Sequence, residues 1–422
     1  MKTKQNYLQA QNIERALANT PQITFEITDS CNLNCTYCAY GKFYSDYDKR
    51  ENKRLPAKKA IMLLKYLCRL WQSPLNLSAR KIVYISFYGG EPLQNMPFIK
   101  KIVEYLENEV VCHTRIFRFS MTTNALLLSK NMDYLVAHNF NLLISLDGNK
   151  ENSSYRVDKR GNEAFEKIVG NVDLLREKYP AFFERNVNFN SVLHNRNSVE
   201  SIYQFFKEKY NKIPTIGELN NSGIRPEMCE SFMKTYRNSY ESLHQAEHYE
   251  KIERDMFMKS GTYQSVTTYL LQYSDFVYEN YNELLLGKNF VDRRIIPTGT
   301  CIPFGKKVFV TVNGKILPCE RIGHQFAVGE LTDTEIKIDF EAIAARYNQY
   351  YTKIDEQCKA CYNKKSCIQC IFNLPDIDNQ QVVCEGFMNK QDFARYENHQ
   401  LDFLVDNPDS YYKIMTEVVV KQ

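Results

Sequence analysis

The stretch from Gln22 to Tyr40, QITFEITDSCNLNCTYCAY, decides how the rest of the chain is read. Gln22–Thr28 reads as a strand, and it runs directly into Cys31, Cys35 and Cys38. Strand and helix signals then alternate down the chain. A helix is predicted from about Ala57 to Trp71, behind Pro56, which suits a first helical position. Lys81–Tyr88 (KIVYISFY) reads as a strand ending at Gly89-Gly90, followed by a helix from about Met96 to Asn108. Strands are predicted at Ile116–Thr123, Asn141–Leu146 and Asn186–Leu193, with helices near Ser129–His138, Glu163–Lys178 and Ser198–Tyr210. Repeated β-then-α units of this length predict a parallel sheet with helices outside it. Binding residues in such folds gather at the carboxyl ends of the strands. The cysteine triplet, the run Gly89-Gly90-Glu91-Pro92 and Asp147-Gly148 all fall there.

The remaining features narrow the class. A length of 422 residues suits two or three domains. Lys plus Arg is 54 against 50 Asp plus Glu, and a mixed net charge of +4 argues against nucleic acid as the main partner. A hydrophobic share of 44% with 13% aromatics excludes a disordered chain. The start, MKTKQNYLQAQNIER, lacks the apolar core of a secretory signal. The most apolar run, Ile61–Leu70, is broken by Lys65 and Arg69, so no membrane span is expected. Thirteen cysteines in such a chain read as reduced thiols of a cytoplasmic protein, there to bind metal or do chemistry.

Ten of the thirteen fall into three groups: Cys31, Cys35 and Cys38; Cys301 and Cys319; and Cys358, Cys361, Cys367 and Cys370 with Cys384. Cys68, Cys112 and Cys229 are scattered and read as ordinary small residues. A C-x3-C-x2-C spacing offers too few ligands for a four-thiolate zinc site. It suits a [4Fe–4S] cube with three irons held by Cys31, Cys35 and Cys38 and the fourth left open.

With Tyr37 before its last cysteine, this motif resembles the signature of the radical S-adenosylmethionine (SAM) superfamily. The run Gly89, Gly90, Glu91 and Pro92 resembles that family's GGEP, whose backbone and carboxylate receive the SAM amino group. Thr122-Thr123-Asn124 resembles the polar strand end that follows, and Ser145-Leu146-Asp147-Gly148 its S-x-D-G strand end. Arg156 stands roughly where a family arginine faces the SAM carboxylate, although ENSSYR lacks the His-Asp pair often found before it. Taken singly, GGEP and Asp147-Gly148 are compatible with ordinary turns; the three motifs in order, each after a predicted strand, carry the resemblance.

Cys301, Gly314 and Cys319, the quartet Cys358, Cys361, Cys367 and Cys370, and Cys384 resemble the SPASM extension of peptide- and protein-modifying members. The last pair of the quartet is separated by two residues, Ile368 and Gln369, where the family usually has three. The resemblance implies one auxiliary cluster on Cys358, Cys361, Cys367 and Cys384, and another on Cys301, Cys319 and Cys370 that lacks a fourth cysteine. By spacing alone, a zinc ribbon on Cys358, Cys361, Cys367 and Cys370 is the alternative. Glu320 follows Cys319, where sulfatase-maturing relatives carry a catalytic Asp; it is the candidate base, with a salt bridge as its other reading. An Asn313-Gly314 turn signal of type I′ sits in the hairpin between these two cysteines.

These readings predict an α/β chain: a partial (β/α)6 TIM-like barrel with a C-terminal cysteine-rich SPASM domain. The expected divisions are an arm (1–20), the radical SAM core (21–215), a helical bridge (216–298), the auxiliary-cluster domain (299–390) and a helical tail (391–422). The resemblance implies SAM and three [4Fe–4S] clusters as cofactors, a peptide or protein substrate, and a reductant such as flavodoxin or ferredoxin. A separate leader-peptide-binding protein is a further expected partner, since the 20 residues before the first strand are too few for such a domain. The expected reaction is oxidation or crosslinking of a ribosomally made peptide. The alternatives are a sulfatase maturase forming formylglycine and a non-enzymatic iron–sulfur scaffold.

Overall fold

The computed structural model describes residues 7–77, 81–109, 115–274, 296–374, 377–378 and 382–419. Cys112 and residues 275–295 of the bridge lie outside the described residues. The chain forms two compact units that interleave along the sequence. One is Ala10–Ile252 with Cys301–Ile343; the other is Met1–Gln9 with Glu253–Thr300 and Ala344–Gln422.

The first unit is built on a ten-stranded sheet. Its parallel part runs β1 (Gln22–Thr28), β2 (Lys81–Gly89), β3 (Arg115–Thr123), β4 (Asn141–Ser145), β5 (Val187–Val192) and β6 (Thr215–Gly217), in chain order. Helices α1 (Ala10–Ala18), α2 (Ala57–Trp71), α3 (Met96–Glu104), α4 (Leu128–Ala137), α5 (Phe165–Lys178), α6 (Pro180–Asn186) and α7 (Val199–Tyr210) belong to the same unit. Along β1, Ile23, Phe25 and Ile27 are fully buried, and Thr24 and Glu26 on the other face are nearly so. Burial on both faces is what a parallel strand between helices and a lumen requires. In α2, Ala60, Leu63, Leu64, Leu67 and Trp71 recur at helical spacing and are all buried, each leucine contributing about 1.5–3 kcal/mol. Pro56 is the residue before the helix, with Ala57 its first member. The segment predicted to complete α3 to residue 108 is a wider π-type turn at Tyr105–Glu109.

On its other edge β1 pairs in parallel with β7 (Val308–Val310), and β8 (Lys315–Leu317), β9 (Gly329–Leu331) and β10 (Ile336–Lys337) follow antiparallel. β6 and β10 are the two ends of the strand order, so the barrel is open. The hairpin between β7 and β8 departs from the type I′ expectation. Gly314 has a positive φ of 88° and Asn313 does not, whereas type I′ needs both. Gly314 instead closes a turn by donating its N–H to Thr311 O at 2.9 Å. A Cβ there would lie 2.5 Å from Leu331 O.

In the second unit the helices Gly261–Gln272 and Pro408–Ile414 share an apolar cluster of Tyr263, Val266, Tyr269, Leu270 and Ile414, against which Tyr396 and Phe403 pack. The long helix Phe340–Ala360, which begins in the first unit, brings Asn348 to Leu8, whose N–H and O it bonds at 2.9 and 2.8 Å.

Candidate active site

The loop after β1 carries the cysteine triplet and is pinned from both sides. Gly90 and Glu91 donate their backbone N–H groups to Thr28 O and Ser30 O, each at 2.8 Å. A Cβ on Gly89 or on Gly90 would lie 2.1 Å from Thr28 O or Ser30 O respectively. The two glycines therefore let the end of β2 close onto the loop that leads to Cys31. From the other side the strap at residues 50–55 runs back along it. Thr28 Oγ1 donates to Lys53 O at 2.9 Å, Glu51 N–H to Asp29 Oδ2 at 2.8 Å and Leu55 N–H to Ile27 O at 3.1 Å. Tight turns set the thiols: Cys38 N–H donates to Cys35 O at 3.2 Å and Gly41 N–H to Cys38 O at 2.7 Å. Burial pushes the Cys35 thiol up to about 12 and raises Cys31 as well.

Glu91 is buried at the head of the short helical turn Pro92–Asn95. Its carboxylate accepts from Thr123 Oγ1 at 2.7 Å, Asn124 N–H at 2.8 Å and Leu93 N–H at 3.1 Å. Burial still pushes this acid up to about 7 against those three donors. The carboxylate thus ties the end of β2 to the end of β3. Asn124 turns its Nδ2 to Asn32 Oδ1 at 2.8 Å and to Cys31 Sγ at 3.7 Å, which brings β3 to the triplet.

Asp147, just past β4, organises a second buried knot. Arg156 donates Nε and one Nη to its two oxygens at 3.0 and 2.8 Å, Val192 N–H adds a bond at 3.0 Å, and the Tyr37 hydroxyl donates to it. Burial would raise this acid, but Arg156 overrides it and holds Asp147 at about 2. The sequence suggested Arg156 for a bound carboxylate; in this structure its guanidinium is paired with Asp147. His194, which no motif pointed to, is fully buried and stacks on the Tyr37 ring at 5.4 Å. Ser145 is the last residue of β4, in register with Asn190.

Glu320, after β8, forms a salt bridge with Lys307, whose Nζ lies 3.0 and 2.8 Å from the two carboxylate oxygens. Burial acts to raise Glu320, but Lys307 outweighs it and leaves the acid below the usual carboxylate range. Burial, with Glu320 and Cys38 both acting on it, raises the Tyr88 phenol. Tyr47 feels both Cys38 and Cys319, and burial pushes it up to about 12. These phenols join the triplet to the Cys319 region, and neither lies in a recognised motif apart from Tyr88's place before Gly89. Arg50 was also missed: its Nη2 lies 3.5 Å from Cys38 Sγ.

Cys301 precedes β7 and Cys319 follows β8, in the first unit. In the second unit Cys358, Cys361, Cys367 and Cys384 lie within electrostatic reach of one another. Burial, with the other three thiols adding to it, pushes the Cys358 thiol up to about 11. Met388 N–H donates to Cys361 Sγ at 3.5 Å and Tyr362 N–H to Met388 O at 3.0 Å, which folds the Cys384 segment back on the quartet. Cys370 precedes Ile371, whose N–H donates to Thr300 Oγ1 at 2.8 Å. None of the described cysteines forms a disulfide. Among the described residues no group of three or more His, Cys, Asp or Glu side chains is drawn together tightly enough to hold a metal ion. The donor set nevertheless fits an iron–sulfur cube: three part-buried thiols on one pinned loop, with the unpartnered, buried Nε of Arg50 beside them.

Residues 25–208 match the radical SAM superfamily, from within β1 to within α7. The chain carries a radical SAM domain. A cysteine-type anaerobic sulfatase-maturating enzyme of Clostridium novyi is 27% identical over 49% of this chain and 55% of its own. The radical SAM cyclopropyl synthase TigE of Paramaledivibacter caminithermalis is 24% identical over 51% of this chain and 43% of its own. The chain thus spans about half the length of these two relatives. A second cysteine-type maturating enzyme, from Clostridium perfringens strain 13, is 25% identical over 87% of this chain and 94% of its own. Among solved structures, native anSMEcpe with bound AdoMet superposes with a TM-score of 0.57 at 17% identity, covering 94% of this chain and 100% of that one. The likeness is one of fold, the radical SAM partial barrel. Among the described residues no helix is long and apolar enough to cross a membrane.

Proposed function

We propose that the protein is a cytoplasmic radical SAM maturase that modifies a side chain or backbone carbon of a ribosomally made peptide, by oxidation or crosslinking. The observation that carries this reading is the presentation of Cys31, Cys35 and Cys38 on a loop pinned to the end of β1 by Gly90, Glu91 and the strap at residues 50–55. Cys31, Cys35 and Cys38 would hold three irons of a [4Fe–4S] cube and leave the fourth free, and Glu91, Asn124 and Asp147 order the neighbouring strand ends. When bound, the cluster and SAM supply an electron and a 5′-deoxyadenosyl radical that takes hydrogen from an unactivated carbon. The chain's own residues hold and orient. The Tyr37–Asp147–Arg156 knot fixes the triplet loop, and Lys307 holds Glu320 ionised, which makes it a weak base until a substrate displaces that pairing. In this reading residues 299–390 form the auxiliary-cluster domain, with one cluster on Cys358, Cys361, Cys367 and Cys384 and with Cys301 and Cys319 as ligands of a second. A flavodoxin or ferredoxin is the reductant.

The sulfatase-maturating relatives favour a second reading, oxidation of a Cys or Ser to formylglycine. Iron and sulfide analysis of anaerobically reconstituted protein, with a 5′-deoxyadenosine assay, tests the first step. About twelve irons per chain, falling to about eight when Cys31, Cys35 and Cys38 are all alanine, is expected. About four irons with one zinc would remove the auxiliary clusters. A mass change on a formylglycine-type peptide would favour the second reading.

A further inference from the structure

Arg50 belongs to no motif and lies twelve positions after Cys38, in the strap at residues 50–55. The strap holds it still: Glu51 N–H is bonded to Asp29 Oδ2 at 2.8 Å, Asn52 adopts a left-handed φ of 60° and Ser30 Oγ bonds Asn52 Oδ1 at 3.1 Å. The guanidinium lies 4.5 Å over the Tyr40 ring, with one Nη 3.5 Å from Cys38 Sγ. Its Nε is buried and has no hydrogen-bond partner among the described residues, and the described residues give Arg50 no salt bridge. Arginine is always charged, and Arg50 is partly buried, so an acceptor of negative character beside it is favoured. Glu26, the nearby carboxylate that Arg50 influences, already accepts Val312 N–H at 2.9 Å and the Tyr40 hydroxyl. The sulfur of Cys38 is left as the acceptor in reach.

We infer that Arg50 is the counter-charge of the cluster held by Cys31, Cys35 and Cys38, donating an N–H···S bond to Cys38 and thereby favouring the cluster's reduced form. The inference rests on the radical SAM reading. The reduction adds one electron from an external low-potential donor and makes the cluster–thiolate unit one charge more negative, with no proton moved. A fixed cation and a hydrogen bond to sulfur stabilise that more negative form, and such bonds are among the determinants of cluster potential. Arg50 acts through Cys38 and is a positioning residue, not a catalytic one. The Asp147–Arg156 pair is self-neutralising, whereas Arg50 forms no salt bridge among the described residues.

The test is an EPR-monitored redox titration of the full reconstituted chain with dithionite, following the signal that changes on adding SAM. In Arg50→Gln the reduced-to-oxidised ratio at a given potential should fall about tenfold, which is about 59 mV for a one-electron couple, with iron content unchanged. Arg50→Lys should recover part of the shift. Arg54→Gln, an exposed charge on the same strap, should not move it. The wild-type protein supplies a second readout. Labelling arginine with 15N should give a nitrogen coupling to the reduced cluster in pulsed EPR that vanishes in Arg50→Lys. Coincident titrations of iron-loaded Arg50→Gln and wild type, an equal shift in Arg54→Gln, or no nitrogen coupling in wild type overturns the inference while leaving the function standing. A wild-type chain with no SAM-responsive cluster overturns both.

Discussion

Cys31, Cys35 and Cys38 leave a strand whose register against β2 is set at residue after residue from Gln22 to Glu26, and whose last turns are closed by glycines with no room for a Cβ. Cys358, Cys361, Cys367 and Cys384 are held differently, at the end of one long helix and on the turns beyond it, by scattered bonds such as Met388 N–H to Cys361 Sγ. A sheet carries its site as a property of the strand ends, so neighbouring strands deliver Glu91, Asn124 and Asp147 to one place. A cysteine-rich segment with little regular structure would leave its thiols far more dependent on any group they held.

Substitutions should separate the two regions, and the largest effect belongs to the sheet-borne site. Cys35→Ala should abolish SAM cleavage, at least a hundredfold in 5′-deoxyadenosine yield, while the iron of the auxiliary group remains. Retained cleavage would break the assignment of the triplet. Cys361→Ala should do the reverse, lowering iron content and blocking product while keeping some SAM cleavage; unchanged iron and product would remove the second region from the chemistry. Asp147→Ala leaves Arg156 buried without its partner and should cost about 3–5 kcal/mol in denaturant unfolding. Gly90→Ala drives a Cβ to 2.1 Å from Ser30 O. It should cost about 1–3 kcal/mol, as overpacking does, and lower iron retention at the triplet, which can be read from bound iron.

The smallest effect is one of pH. Asp147 is held at about 2 in the folded chain, below its ordinary value of 3.8. Its folded pKa is depressed, so the stability it contributes is full above pH 4 and is lost as pH falls toward 2. The difference is about 2 kcal/mol, and Asp147→Asn should flatten that acid limb in unfolding measured against pH. An unchanged limb would mean that other acids set it.

The order of strands and helices was legible because apolar residues with the right period mark elements long enough to show it, as in β1 and α2. The sixth strand, Thr215–Gly217, has three residues, too few for any periodicity. The motifs were legible because turn geometry demands particular residue types: Gly89 and Gly90 are glycines since Thr28 O and Ser30 O lie where a Cβ would go. The sequence alone thus determined the alternating α/β order, the placement of Cys31, Glu91 and Asp147 at strand ends, and the grouping of the cysteines. Only the tertiary structure decided how those side chains are used. Arg156 closes on Asp147, Glu320 on Lys307, His194 lies under Tyr37, and Arg50 reaches Cys38. A charge pair between distant residues leaves no local pattern. It is chosen by which groups burial forces together, and that is settled only when the strap, the strand ends and the loops occupy the same space.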